Sequence, residues 1–253
     1  MKKLRIAGML GASLGLLLAG QAVHAQQPLD PATVRADLGV LQQMYEGQFR
    51  ATPFPGIYQM VRQHPPSPRT TAPILMTREA QITFNNGALG PQEGESRRKL
   101  SLAEWGSLMM RWRQSFRLDD FIQFGGNGPL RMVVISGFDC PYSKKLEAEL
   151  ARANARYAVA PGTIGSANQR YLPDLWCAAD RSAAWRNAIS GKGLPPRAPA
   201  SCGYDAAYFS TFNGMMGSSM PNVLYADGTV ASGSDPAKVL AKLAELKQRG
   251  VHF

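Results

Sequence analysis

Residues 132–146 read Met132-Val-Val-Ile-Ser-Gly-Phe-Asp-Cys140-Pro-Tyr-Ser143-Lys-Lys-Leu146, and this change of pattern decides the fold. Residues 131–136 form a near-continuous apolar run, as expected of a strand buried on both faces. From Pro141 to about residue 153 the pattern becomes helical. Leu146 and Leu150 lie on one side, with Lys144, Lys145, Glu147 and Glu149 on the other. Cys140 falls at the strand-to-helix junction, where free backbone N–H groups and the helix dipole favour an anion. The thiolate is the reactive form of cysteine. Pro141 suits the first helical turn, and Ser143 can offer a hydroxyl hydrogen bond to the sulfur. Lys144 and Lys145 add positive charge that Asp139 opposes. The competing reading is a buried, inert thiol.

Around this unit, strand and helix alternate. Residues 121–124 and 157–159 are strand-like, and helical stretches fall near 167–178, 181–190 and 204–215. Residues 222–226 and 229–232 flank Asp227-Gly228, a hairpin signal. Asp235-Pro236 starts a last helix with Val239, Leu240, Leu243 and Leu246 on one face, ended by Gly250. Upstream, Ser101 and Glu104 form a capping-box pattern before a stripe of Leu102, Trp105, Met109, Trp112 and Phe116. This helix reads as a connector between two domains, with its apolar side resting on one of them. Residues 88–100 read as a polar loop. Earlier still, Asp30-Pro31 begins a helix to about residue 46, with Val34, Leu38, Leu41 and Met44 roughly on one face. Short strands follow at 56–61, 73–77 and 81–84, with a proline loop at 64–68 and a turn at Asn85-Asn86-Gly87.

The N-terminus carries Lys2, Lys3 and Arg5, an apolar stretch over residues 6–18, and Val23-His24-Ala25 before Gln26-Gln27. That is the pattern of a cleaved secretory signal over residues 1–25, with no cysteine nearby for a lipid anchor. Export is the expectation. The three basic residues of the leader account for part of the formal +10, leaving +7 in the remainder. Composition of 45% apolar and 18% charged residues excludes wholesale disorder. The basic excess is scattered, its densest run being residues 97–99, so no nucleic-acid partner is expected. No HExxH, CxxC, Walker A or GxGxxG pattern occurs, leaving no sequence case for a metal or a cofactor. His64 and His252 sit in a proline-rich loop and at the C-terminus, which gives a Cys–His pair poor support. Trp176 and Trp185 read as core.

Three cysteines, Cys140, Cys177 and Cys202, cannot all pair within one exported chain. Any of three pairings leaves one thiol over, and the sequence alone does not choose. Cys177 and Cys202 enclose a Gly/Pro-rich segment of 26 residues, a loop whose closure is worth about 3.5 kcal/mol in the chain-entropy view.

The strand–Cys140–helix run resembles the active-site element of the thioredoxin fold. The segment Leu175-Trp176-Cys177-Ala178-Ala179-Asp180 through Ser201-Cys202 resembles the DsbC/DsbG family of periplasmic thiol:disulfide isomerases. The match is strongest over residues 130–250. It is weaker over 30–90, where Thr52-Pro53-Phe54-Pro55-Gly56 and the short strands fit that family's small dimerisation domain. The resemblance implies an α+β, cystatin-like N-terminal domain over 26–98, a linker helix over 99–117 and an α/β thioredoxin-like domain over 118–253. It implies that Cys140 is the nucleophile with Ser143 beside it, that Cys177–Cys202 is a structural disulfide, and that Pro221 is a cis-proline. Met220, Pro221 and Tyr142 would then face the bound peptide. It further implies a homodimer with an apolar cleft, cysteine-containing exported clients, and a membrane reductant of the DsbD type.

Two departures matter. The family's site is Cys-x-x-Cys, but residue 143 is Ser, and Met220 replaces the usual Thr or Val before the cis-proline. Without a second thiol the site cannot hold its own disulfide, yet exchange through one thiolate survives. The expected function is disulfide shuffling in exported proteins. The alternative is a redox-inactive dimeric chaperone or assembly factor on the same fold. A third reading is a client-trapping or glutathione-linked monothiol module.

Overall fold

Helix α1 (Pro31–Met44) begins where the sequence predicts: the Asp30 carboxylate accepts the Ala32 and Thr33 N–H groups at 2.9 and 3.1 Å, and Pro31 occupies the first turn. The computed structural model describes residues 29–45, 48–61, 74–77, 82–84, 92–93, 98–217 and 219–253. The leader, the 64–68 proline loop and the Asn85-Asn86-Gly87 turn lie outside these described residues. Next come β1 (Gln48–Ala51), β2 (Ile57–Val61), β3 (Leu75–Thr77), β4 (Ile82–Phe84) and β5 (Gln92–Glu93), an antiparallel meander in chain order. Strand β5 falls where a polar loop was expected. It pairs through backbone groups (Thr83 with Gln92), which a hydrophobic pattern cannot reveal.

Both faces of this small sheet are used. Phe49, Tyr58 and Met76 pack with Leu41 of α1. Their chain neighbours Ile57 and Leu75, with Phe54 and Phe84, turn to the opposite face and join the main core of the protein. Tyr208 stacks on Phe54 with ring centroids 5.1 Å apart.

Helix α2 (Leu102–Met110) carries the full capping box: Glu104 N–H donates to Ser101 Oγ, and Ser101 N–H donates to the Glu104 carboxylate. Of the expected stripe, Trp105 and Met109 are buried in the helix, and Trp112 and Phe116 are buried on either side of the 3-10 turn Arg113–Ser115 beyond its end; Leu102 is exposed, and Gly106 and Leu108 join the buried face. Gly106 permits the helix to lie directly on the Asp227-Gly228 hairpin, because a Cβ there would collide with the Gly228 carbonyl. The helix also bonds to both sides of the molecule rather than resting on one. Trp105 Nε1 donates to the Met215 carbonyl at 3.0 Å, and Trp112, just beyond its end, donates to the Pro55 carbonyl at 2.8 Å.

The remainder forms β6 (Ile122–Phe124), β7 (Met132–Gly137), α3 (Pro141–Arg152), β8 (Tyr157–Gly162), α4 (Leu172–Trp176), α5 (Arg181–Ile189), α6 (Ala206–Met215), β9 (Asn222–Tyr225), β10 (Val230–Ser232) and α7 (Pro236–Gln248). The sheet order is β10-β9-β7-β8-β6, with β7 and β8 parallel and the other pairs antiparallel. Every residue of β7 and β8 is buried, as the unbroken apolar run requires. Val133, Ile135, Ala158 and Ala160 face Phe209 and Phe212 of α6. Met132, Val134 and Val159 face Leu146, Leu150, Trp185 and Leu246 on α3, α5 and α7. The architecture is a mixed α/β sheet covered on both sides.

Alanine at Gly106 should destabilise the protein by about 1–3 kcal/mol despite its better helix propensity, because backbone cannot yield to the new methyl. Alanine at Gly39 of α1, with open space around its Cβ, should instead stabilise by about 0.4–1 kcal/mol. Urea midpoints of the two variants, moving in opposite directions, check both signs.

Candidate active site

Strand β7 ends at Gly137, and the Cys140 N–H closes a tight turn onto the Gly137 carbonyl at 3.0 Å. Cys140 is the N-cap of α3, with extended backbone (φ −96°, ψ 120°) and Pro141 in the first turn. Its side chain caps no helical N–H. The thiol donates instead to the Met220 carbonyl, with 3.4 Å between sulfur and oxygen, and Cys140 is only 4% exposed. The Met220–Pro221 peptide bond is cis.

Pairing of β9 with β7 (Ile135 opposite Asn222) delivers this peptide to the end of β7. Asn222 then ties down the preceding loop: its Nδ2 donates to the Met216 carbonyl at 2.6 Å, and its Oδ1 lies 3.2 Å from Ser219 Oγ. The Met220 thioether packs over Gly137 and Gly162, where a Cβ would meet its sulfur at 3.0 and 3.1 Å. Cys140, Met220 and Pro221 are thus brought together, with Tyr142 two residues from the thiol and 58% exposed.

Ser143 is fully buried and turned away from the expected partner. Its Oγ accepts the Gly137 N–H at 3.1 Å rather than donating to the sulfur, because a buried backbone donor must find an acceptor. The remaining cysteines, Cys177 and Cys202, form a disulfide with Cα atoms 6.0 Å apart, so Cys140 is the free thiol.

Asp139 does not oppose the lysines as a free charge beside the sulfur. Its carboxylate turns into the loop after β8, accepting from Ile164 N–H, Gly165 N–H and Asn168 Nδ2 at 2.9, 2.9 and 2.8 Å, and from the Thr163 hydroxyl. Partial burial works against its charge, but these hydrogen bonds outweigh burial and hold the carboxyl below its ordinary range. The loop thereby pinned presents Ile164, 58% exposed, next to the residue that precedes the thiol.

Glu147 is the largest departure from the sequence reading, which set it among the solvated charges of α3. It is buried, and its carboxyl group bonds with Ser136 Oγ at 2.5 Å, Trp185 Nε1 at 3.0 Å and Tyr157 OH at 3.4 Å. Burial pushes its titration up to about 7, with the three hydrogen bonds pulling the other way. The available signal was its place beside Leu146 and three residues before Leu150, together with a lone Ser in the apolar β7 run.

Between pH about 4.5 and about 7 the folded protein retains a proton on Glu147 that the unfolded chain releases. This contribution to stability is complete below the unfolded value and is lost as pH rises through about 7. Glu147→Gln should flatten the decline in stability across that window, as measured by urea unfolding at a series of pH values.

No family model matches this chain. The thiol:disulfide interchange protein DsbC of Escherichia coli is 29% identical over 125 residues, covering 47% of this chain and 52% of that protein. DsbC of Salmonella typhimurium is 27% identical over the same shares of the two chains. The chain therefore spans about half the length of the curated relatives it matches. A solved structure of a disulfide interchange protein from Neisseria gonorrhoeae aligns at a TM-score of 0.41 and 22% identity, covering 55% of this chain and 100% of that one. Over about half its length, this chain is similar to DsbC.

Proposed function

We propose that this protein exchanges disulfides in exported client proteins through Cys140 alone. The observation that carries this reading is a free thiol at the N-cap of α3, hydrogen-bonded to the carbonyl that precedes a cis-proline, in a chain similar to DsbC. The thiol first loses its proton to solvent. The Cys140 thiolate then attacks one sulfur of a client disulfide, forming a Cys140–client disulfide and releasing the other client sulfur as a thiolate. A second client thiolate attacks the mixed disulfide, forming a new client disulfide and restoring the Cys140 thiolate. Electrons are conserved over the cycle, so the chemistry is isomerisation without net oxidation. Ser143 has no thiol with which to expel the client and acts by holding the end of β7 against α3.

The helix-on-meander unit supports the cystatin-like reading of the N-terminal domain, and the mixed sheet with α3 after β7 supports the thioredoxin-like one. Homodimerisation, a periplasmic setting and a DsbD-type reductant belong to the same proposal, the second of these supported by the leader pattern together with the similarity to DsbC. The low exposure of Cys140 favours one competing reading, a redox-inactive chaperone or assembly factor.

Reactivation of ribonuclease with scrambled disulfides separates the two readings. The wild-type protein should accelerate it, and Cys140→Ser should lower the rate to background. Ser143→Cys should shorten the lifetime of mixed disulfides on non-reducing gels by adding an intramolecular escape. Full activity in Cys140→Ala would sink the exchange mechanism and leave the chaperone.

A further inference from the structure

A groove of about 660 Å³ begins at Met220, the residue whose carbonyl holds the Cys140 thiol, and its walls come from both halves of the molecule. At the thiol end Ile164 and Met220 line it beside Thr163, and Phe209 of α6 and Leu172 of α4 add apolar area among the polar side chains of Gln169, Ser210 and Asn213. Its other wall is the N-terminal sheet, which contributes Arg50 of β1 and Gln59 of β2. Arg50 is the one charged side chain among the described residues that line the groove. Its guanidinium is oriented by Gln59 Oε1, which accepts from Nε at 3.1 Å and from Nη2 at 2.9 Å. That acceptor is neutral, so the cation is aimed without being neutralised, in a chain of formal charge +10.

We infer that this groove receives an extended segment of the client beside the attacked cysteine, with an apolar residue next to that cysteine and an acidic side chain farther along, at Arg50. The inference rests on the exchange reading above and adds the class of client sequence that Cys140 attacks. Continuity with the thiol supplies the occupant, because a client whose sulfur meets Cys140 has its chain at Met220, where the groove opens. The charge of Arg50 supplies the preference. Apolar area at the near end contributes affinity without selecting charge, whereas a guanidinium fixed by a neutral acceptor selects a carboxylate by its geometry as well as its charge.

The test uses the full chain and synthetic peptides that contain one cysteine capped by thionitrobenzoate. Cys140 thiolate attacks the peptide sulfur, a Cys140–peptide disulfide forms, and the coloured thionitrobenzoate anion leaves. Aspartate or asparagine is placed at successive positions from the third to the eighth residue on either side of the cysteine. At the matching position the aspartate peptide should react about threefold faster, the ratio a single screened charge pair supports. The ratio should fall to one at about 1 M salt, where the Debye length is about 3 Å. Arg50→Gln should abolish the ratio, Arg50→Glu should invert it, and Arg50→Lys should keep part of it, with circular dichroism checking that each variant is folded. Because salt acts on the wild-type protein, a variant that fails to fold does not remove the test.

The small neutral disulfide dithiodipyridine reports the thiol separately. If it reacts with the wild type and not with Cys140→Ser, while aspartate and asparagine peptides react equally, the groove assignment is overturned and the exchange reading stands. An aspartate preference that persists in Arg50→Glu overturns the assignment as well. If neither probe reacts with Cys140, the exchange reading fails and this inference falls with it.

Discussion

The antiparallel pairing of β9 with β7 is the constraint on which the site depends. Strand β7 runs into the turn that carries Cys140, and β9 begins immediately after the cis Met220–Pro221 bond. Because Ile135 is opposite Asn222, ladder register brings the carbonyl of Met220 to the thiol. The Asn222 amide then prevents the loop from drifting by holding the Met216 carbonyl. A shift of one residue in this pairing would turn every side chain of β9 to the other face and remove the acceptor from the sulfur.

The N-terminal sheet is bound into the same construction. Its outer residues pack on α1, while Phe54, Ile57, Leu75 and Phe84 share a core with Trp105, Met109, Tyr208 and Phe212. Two indole N–H groups mark the two sides of this joint, one donated to Met215 and the other to Pro55. Burying an indole without a partner for its N–H is costly, so these bonds fix orientation where apolar packing alone would allow several. Gly106 permits the close approach of α2 to the hairpin that brings Trp105 and Trp112 to their acceptors.

Two carboxylates near Cys140 resolve in opposite directions. Asp139 keeps its charge because four donors from the loop after β8 surround it. Glu147 is held in the core by three neutral partners, and burial favours its protonated form. From the adjacent sequence, Glu147 reads as a charge on the polar side of α3 and Asp139 as a charge opposing Lys144 and Lys145. Their different states follow from which elements pack against them, the β8 loop in one case and β7, β8 and α5 in the other.

Much of the architecture was legible from periodicity and caps. The apolar run of β7, the Ser101–Glu104 box, the Asp227-Gly228 hairpin and the Asp30 and Asp235 caps each rest on interactions within a few residues, which local sequence specifies directly. The location of Cys140 at a helix N-terminus was determined in the same way. Strand β5, the burial of Glu147, the close approach of Gly106 to Gly228 and the turning of Ser143 toward Gly137 were decided only by tertiary structure. So was the groove that joins Arg50 to Met220 across 170 positions of chain. The physical reason is common to all of them: each is set by the need to satisfy or bury a group against a distant segment, and that need has no period in the sequence.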